Sequence, residues 1–96
     1  MFQVLTTITF DEEFASLRQQ KAMMARVKAI DKTLKLLSNP RHPSLQTHEF
    51  TSLKGPHGEK IFEAYAQQNT PAAYRVFWHY GPGRSELTVI AFTAHP

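Results

Sequence analysis

Ninety-six residues without a cysteine point to one domain, residues 1–96, with room for a single core. They exclude a disulfide framework and any thiolate-bound metal. Apolar residues at 42% and aromatics at 11% are enough for a folded core, and no apolar run is long enough to span a membrane. Eleven Lys/Arg against eight Asp/Glu leave +3, a mild basic bias compatible with a nucleic-acid partner. The opening residues lack the basic-then-apolar build of a secretory signal, so a cytoplasmic address is expected.

Phe2 to Phe10 is rich in β-branched and aromatic residues and reads as a strand. Both of its faces are partly apolar, which places it inside a sheet rather than at an edge. Thr9 or Asp11 is then the cap of a helix. From Asp11 to Ser38 there is no Gly or Pro. Phe10, Phe14 and Leu17 form one apolar stripe; Met23, Val27, Ile30, Leu34 and Leu37 form a second at helical spacing. The polar stretch Arg18 to Lys21 marks the corner of a helical hairpin. Lys21, Lys28, Lys32 and Lys35 line one helix face, as a solvated surface or a nucleic-acid footprint. Asn39-Pro40 ends the second helix, because proline disfavours helical geometry in the residue before it.

Arg41 to Thr47 reads as a loop, and His48 to Leu53 as a strand. Lys54 to Gly58 is a turn. Lys60 to Ala66 and Ala73 to Tyr80 are strands joined by the loop Gln67 to Ala72. Gly81-Pro82-Gly83 is a turn before the last strand, Glu86 to Ala94. The order β-α-α-β-β-β-β gives an α+β fold, with the helices on one face of an antiparallel sheet.

Histidines number five, His42, His48, His57, His79 and His95, and each can shuttle a proton near neutral pH. None is spaced as a zinc ligand pair, so no metal and no cofactor is expected. Gly55-Pro56-His57-Gly58 lacks the Gly-Lys-Ser/Thr ending of a phosphate loop and is a turn. In a regular strand Arg75, Phe77 and His79 share one face. Tyr74, Val76, Trp78 and Tyr80 share the other, which is assigned to the helices. Glu63 is the only carboxylate inside its strand, where it can orient a histidine, act as a base, or pair with a lysine.

Several stretches in this order resemble the RelE/ParE superfamily of type II toxins. They are Thr9-Phe10-Asp11-Glu12-Glu13-Phe14, Leu36-Leu37-Ser38-Asn39-Pro40, His42-Pro43-Ser44-Leu45, His48-Glu49-Phe50 and Leu53-Lys54-Gly55. Ala73-Tyr74-Arg75-Val76-Phe77-Trp78 is similar to the family's Tyr-Arg-hydrophobic strand, and Thr93-Ala94-His95 to its polar or His-bearing end. The resemblance covers nearly the whole chain. It implies a sheet with an N-terminal strand, a helical hairpin across one face and a basic concave face opposite. RelE-like members cut mRNA on the ribosome without metal, whereas ParE-like members inhibit DNA gyrase by binding. The implied partners are a cognate antitoxin and the mRNA-loaded ribosome, in a homodimer or a toxin–antitoxin hetero-oligomer. An inactive orphan of the same fold is the third reading.

Metal-free RNA cleavage needs a base for the 2′-OH, an acid for the 5′-oxygen, and a cation on the phosphate. The resemblance implies that Arg75 holds the scissile phosphate. Its guanidinium fork suits that task, and its removal should leave the core untouched. The alternative is an ion pair from Arg75 to Glu63 or Glu86 across the sheet. His79 and the family-matched His95 are proton-transfer candidates; a frayed terminal residue is the other reading of His95. His48, Lys54 and Lys60 fall where the family carries further RNA-binding basic residues, with Lys54 also readable as a turn position. The sequence departs from lysine-rich members: its third strand has only Lys60 and Glu63, and no basic tail follows His95.

Overall fold

A computed structural model of the chain describes residues 1–68, 70 and 72–94. Strand β1 (Gln3–Thr6) gives way to helix α1 (Ile8–Arg18) at Thr7, whose side-chain oxygen accepts the Phe10 amide at 3.1 Å. The strand is therefore shorter than Phe2–Phe10, and the cap is neither Thr9 nor Asp11. The β-propensity of Ile8-Thr9-Phe10 yields to packing, because Phe10, Phe14 and Leu17 are buried together on one helical face. The chain breaks at Gln19-Gln20, passes a short 3₁₀ turn (Lys21–Met23) and re-enters helix α2 (Met24–Leu36). This is the expected hairpin. Val27, Ile30 and Leu37 are buried, and Met23 and Leu34 pack beside them.

After α2 comes a one-turn 3₁₀ helix, Pro43–Leu45, inside the segment read as loop, and its Leu45 is fully buried. Strands β2 (His48–Lys54), β3 (Lys60–Tyr65), β4 (Tyr74–Tyr80) and β5 (Glu86–Ala94) then form an antiparallel meander. The sheet order is β1-β5-β4-β3-β2, with β1 parallel to β5. β1 is thus an edge strand, contrary to the expectation from its two-sided apolar pattern. Phe2 and Val4 pack on the core even so.

A register shift lies between the Phe77–Ala91 and Trp78–Val89 pairs and leaves Ile90 as an extra residue in β5. Such a bulge reverses the facing of every residue beyond it. Leu87, Val89 and Phe92 can therefore all join the helix-facing core. Trp78 is fully buried, stacked on Phe62 at 5.0 Å and edge-on to Tyr80 at 4.9 Å. Among the described residues no helix is long and apolar enough to cross a membrane.

Glu59 holds the turn between β2 and β3. Its carboxylate accepts the His57 amide at 2.8 Å and crowds Gly55, where a Cβ would collide with it. Hydrogen bonds from the backbone amides of Glu59 and His57 hold its carboxyl below the usual carboxylate value, with smaller help from the charges of His79 and His57. A depressed carboxyl stabilises the fold above its ordinary pKa, and that contribution is lost as the pH falls through the lowered folded value. Amide protection at His57 and Gly58 should drop over that acidic range. In Glu59→Gln it should be low at every pH. Hydrogen exchange followed by NMR checks this, and identical protection in the two proteins would refute it.

Candidate functional site

The sheet face turned away from the helices carries a chain of three charged side chains. Glu63 on β3 stands opposite His48 on β2, while Arg75 on β4 stands opposite Tyr65 on β3. Arg75 donates from Nη1 to Glu63 Oε2 at 2.6 Å, and the other Glu63 oxygen meets His48 Nε2. Glu63 is 5% exposed and Arg75 12%, whereas His48 is 48% exposed. A buried carboxylate therefore joins a shielded guanidinium to a solvent-facing imidazole. His48 Nδ1 lies 3.0 Å from the Gln46 carbonyl, which can only accept. Nδ1 thus carries a proton, and Nε2, set against a carboxylate oxygen that also only accepts, carries one as well.

Arg75 also lies over the Phe77 ring, 5.5 Å from its centroid, and Phe50 closes on Phe77 edge-on at 5.1 Å. These aromatics keep water from one side of the guanidinium, which strengthens its electrostatic interactions. Arg75 Nε is buried and has no hydrogen-bond partner among the described residues.

The expected site residues divide. Arg75, Glu63 and His48 come together. The ion pair to Glu63, rather than to Glu86, is the one formed. Arg75 is therefore not detachable from the protein's stability as expected: its loss would leave Glu63 with a single partner. His79 shares the face of Arg75, but four residues place it roughly 13 Å away at ~3.3 Å per residue, with Phe77 between. It is buried, and its Nδ1 donates to the Tyr80 carbonyl at 2.8 Å. Lys54 and Lys60 pair with each other in register at the turn end of the hairpin. Alternation along β3 puts Lys60 on the side of Phe62, and the irregularity in β2 after Glu49 brings Lys54 to the same side, so neither joins the cluster. Lys54 instead lies 4.0 Å from Glu49. His95 lies outside the described residues. The α2 lysines 28, 32 and 35 are exposed on the helical layer, behind the sheet.

By sequence His48 reads only as an RNA-binding group. Its pairing with Glu63 depends on the register of β2 against β3, which alternation in one strand does not reveal. No group of three metal-ligating side chains occurs among the described residues.

No protein-family model matches the chain, and no curated protein matches it by sequence. Solved structures do match its shape. A YoeB/ParE toxin from Agrobacterium tumefaciens superposes with a TM-score of 0.65 at 14% identity, over 99% of this chain and 100% of the other. The archaeal RelE-RelB complex from Pyrococcus horikoshii gives 0.55 at 16%, over 97% and 93%. The YoeB dimer from Staphylococcus aureus gives 0.59 at 14%, over 99% and 98%. These likenesses, in the order of elements and across the full length, show that the chain has the α+β fold of the RelE/ParE toxins.

Proposed function

We propose that the protein is the toxin of a type II toxin–antitoxin pair and a metal-independent endoribonuclease that cuts mRNA on the ribosome. The observation that supports this reading most directly is the His48–Glu63–Arg75 chain on the sheet face turned away from the helices. His95, two residues in the chain beyond Thr93, the register partner of Arg75, is our assignment for the base that takes the proton of the ribose 2′-OH. The freed 2′-oxygen attacks phosphorus to give a 2′,3′-cyclic phosphate. Arg75 holds the phosphate oxygens as negative charge builds on them. The P–O5′ bond breaks, and the leaving 5′-oxygen takes the Nε2 proton of His48, which Glu63 has held in position. His79 is too distant to serve the same phosphate.

This reading places the protein in the cytoplasm. The RelE-RelB complex among its structural neighbours supports an antitoxin partner, and the YoeB dimer supports self-association. With purified ribosomes and a defined transcript, His48→Gln should slow single-turnover cleavage about 10²–10⁴-fold, the span of a general acid. Its fold should be intact, because His48 is the exposed member of the cluster. Cleavage at the wild-type rate would remove His48 from the mechanism. An uncut transcript with wild-type protein, together with a loss of DNA supercoiling, would favour the gyrase-binding reading.

A further inference from the structure

A groove runs around the end of β4, on the helix side of the sheet. Two adjoining hollows of about 360 and 420 Å³ share Pro40, Arg41 and Tyr80 as their walls. One extends toward His42 and Phe62, the other toward Phe2. Tyr80 lies at the junction and is 42% exposed. Three aromatic rings hold its ring in place: Trp78 edge-on at 4.9 Å, Phe2 tilted at 5.3 Å and Phe62 edge-on at 5.5 Å. A fixed ring with an open face is a stacking platform that loses little entropy when a planar group settles on it.

Arg41 and His42 offer donors beside this ring. Arg41 is exposed and forms no ion pair among the described residues. His42 Nδ1 accepts the Ser44 amide at 3.1 Å, so in the neutral ring Nε2 carries the proton and is free to donate. No residue lining either hollow bears a carboxylate. A planar ring beside a guanidinium, with no opposing negative charge, matches a nucleotide: the base on Tyr80, the phosphate on Arg41. An acidic peptide would satisfy Arg41 but would leave the platform's fit to a flat heterocycle unused.

We infer that this groove is a nucleotide-binding subsite for single-stranded RNA, separate from the His48–Glu63–Arg75 cluster and on the other side of the sheet. Thr47 lines the groove, and His48, the next residue, stands in the cluster. A strand leaving the cluster therefore meets the groove around the start of β2. The inference rests on the ribonuclease reading for the identity of the polymer, while nucleotide binding in the groove does not depend on cleavage.

The test is an NMR titration of the full chain with adenosine 5′-monophosphate, and with inorganic phosphate in parallel. The nucleotide should shift the amides of Arg41, His42, Tyr80 and Gly81, and phosphate should bind more weakly. Arg41→Gln, at an exposed position, and Tyr80→Leu should each weaken binding about tenfold, the scale of one stacking or phosphate contact. His48→Gln should leave groove binding unchanged. Absence of shifts at these amides, or wild-type affinity in both groove variants, would overturn the subsite. A response to an acidic peptide alone would also overturn it. If the groove binds nucleotide but ribosomal mRNA stays intact, the ribonuclease reading fails and the subsite stands. If mRNA is cut but the groove binds no nucleotide, the subsite fails and the ribonuclease reading stands.

Discussion

Trp78→Ala should lower stability by about 3–5 kcal/mol, the usual cost of truncating a large buried aromatic. Trp78 is fully buried, with Phe62 opposite on β3 and Val89 opposite on β5. Its removal opens a cavity between the helical layer and the two strands that flank β4. For a domain of this size each kcal/mol shifts the melting temperature by about 4–8 °C, so the variant should melt at least ~12 °C lower. Trp78→Phe is the informative partner. Its ring retains the stack on Phe62, and the substitution removes an Nε1–H that is buried without a hydrogen-bond partner among the described residues. It should cost much less than alanine. Thermal denaturation of the three proteins checks the order. A Trp78→Ala protein that melts like wild type would refute the facing of β4.

The helical pair is legible in the sequence because its signals are local. Phe14 and Leu17, or Val27 and Ile30, lie within two turns of one another, and the 3.6-residue period places them on one side whatever the rest of the chain does. Trp78 is legible for the same reason, by alternation within one strand. The beginning of the chain misleads because Val4 to Phe10 has one composition and two structures. Only the burial of Phe10 against α2 and β5, a long-range fact, tells the strand from the helix. The edge position of β1 is hidden in the same way: Val4 and Leu5, on opposite faces, are both half-buried, so its apolar pattern resembles that of an interior strand.

Arg75 stands out as a candidate from its residue type and strand position. What lies beyond the sequence is its company. Glu63 is twelve residues away across a loop, and His48 is on a strand whose pairing with β3 shifts between Glu49 and Lys54. Parity along β4 groups Arg75 with His79 correctly as to face, but the length of the strand separates them. Lys54 leaves the site through that shift in β2, which no spacing rule anticipates, whereas Lys60, three residues from Glu63 on one strand, is on the opposite face by alternation alone.

Arg75→Lys should stop transcript cleavage, with a loss of about 10²–10³-fold, while the protein stays folded. A lysine keeps one positive charge near Glu63, but it lacks the planar fork that can hold Glu63 and a phosphate at the same time. Arg75→Ala is the blunter change. It breaks a buried ion pair, a class of change that costs about 3–5 kcal/mol because one charge is left uncompensated. The low end applies here, since His48 still faces Glu63. Lost activity in that variant would therefore mix catalysis with unfolding. Arg75→Ala combined with Glu63→Gln separates them: removing the stranded charge should recover most of the stability and none of the activity. Chemical denaturation and ribosome-dependent cleavage, measured on all three variants, distinguish the two effects. If Arg75→Lys cuts mRNA at the wild-type rate, the phosphate-holding role is wrong. If it stays toxic while transcripts remain intact and supercoiling collapses, the target is gyrase, and the cluster on the open face is a structural ion pair.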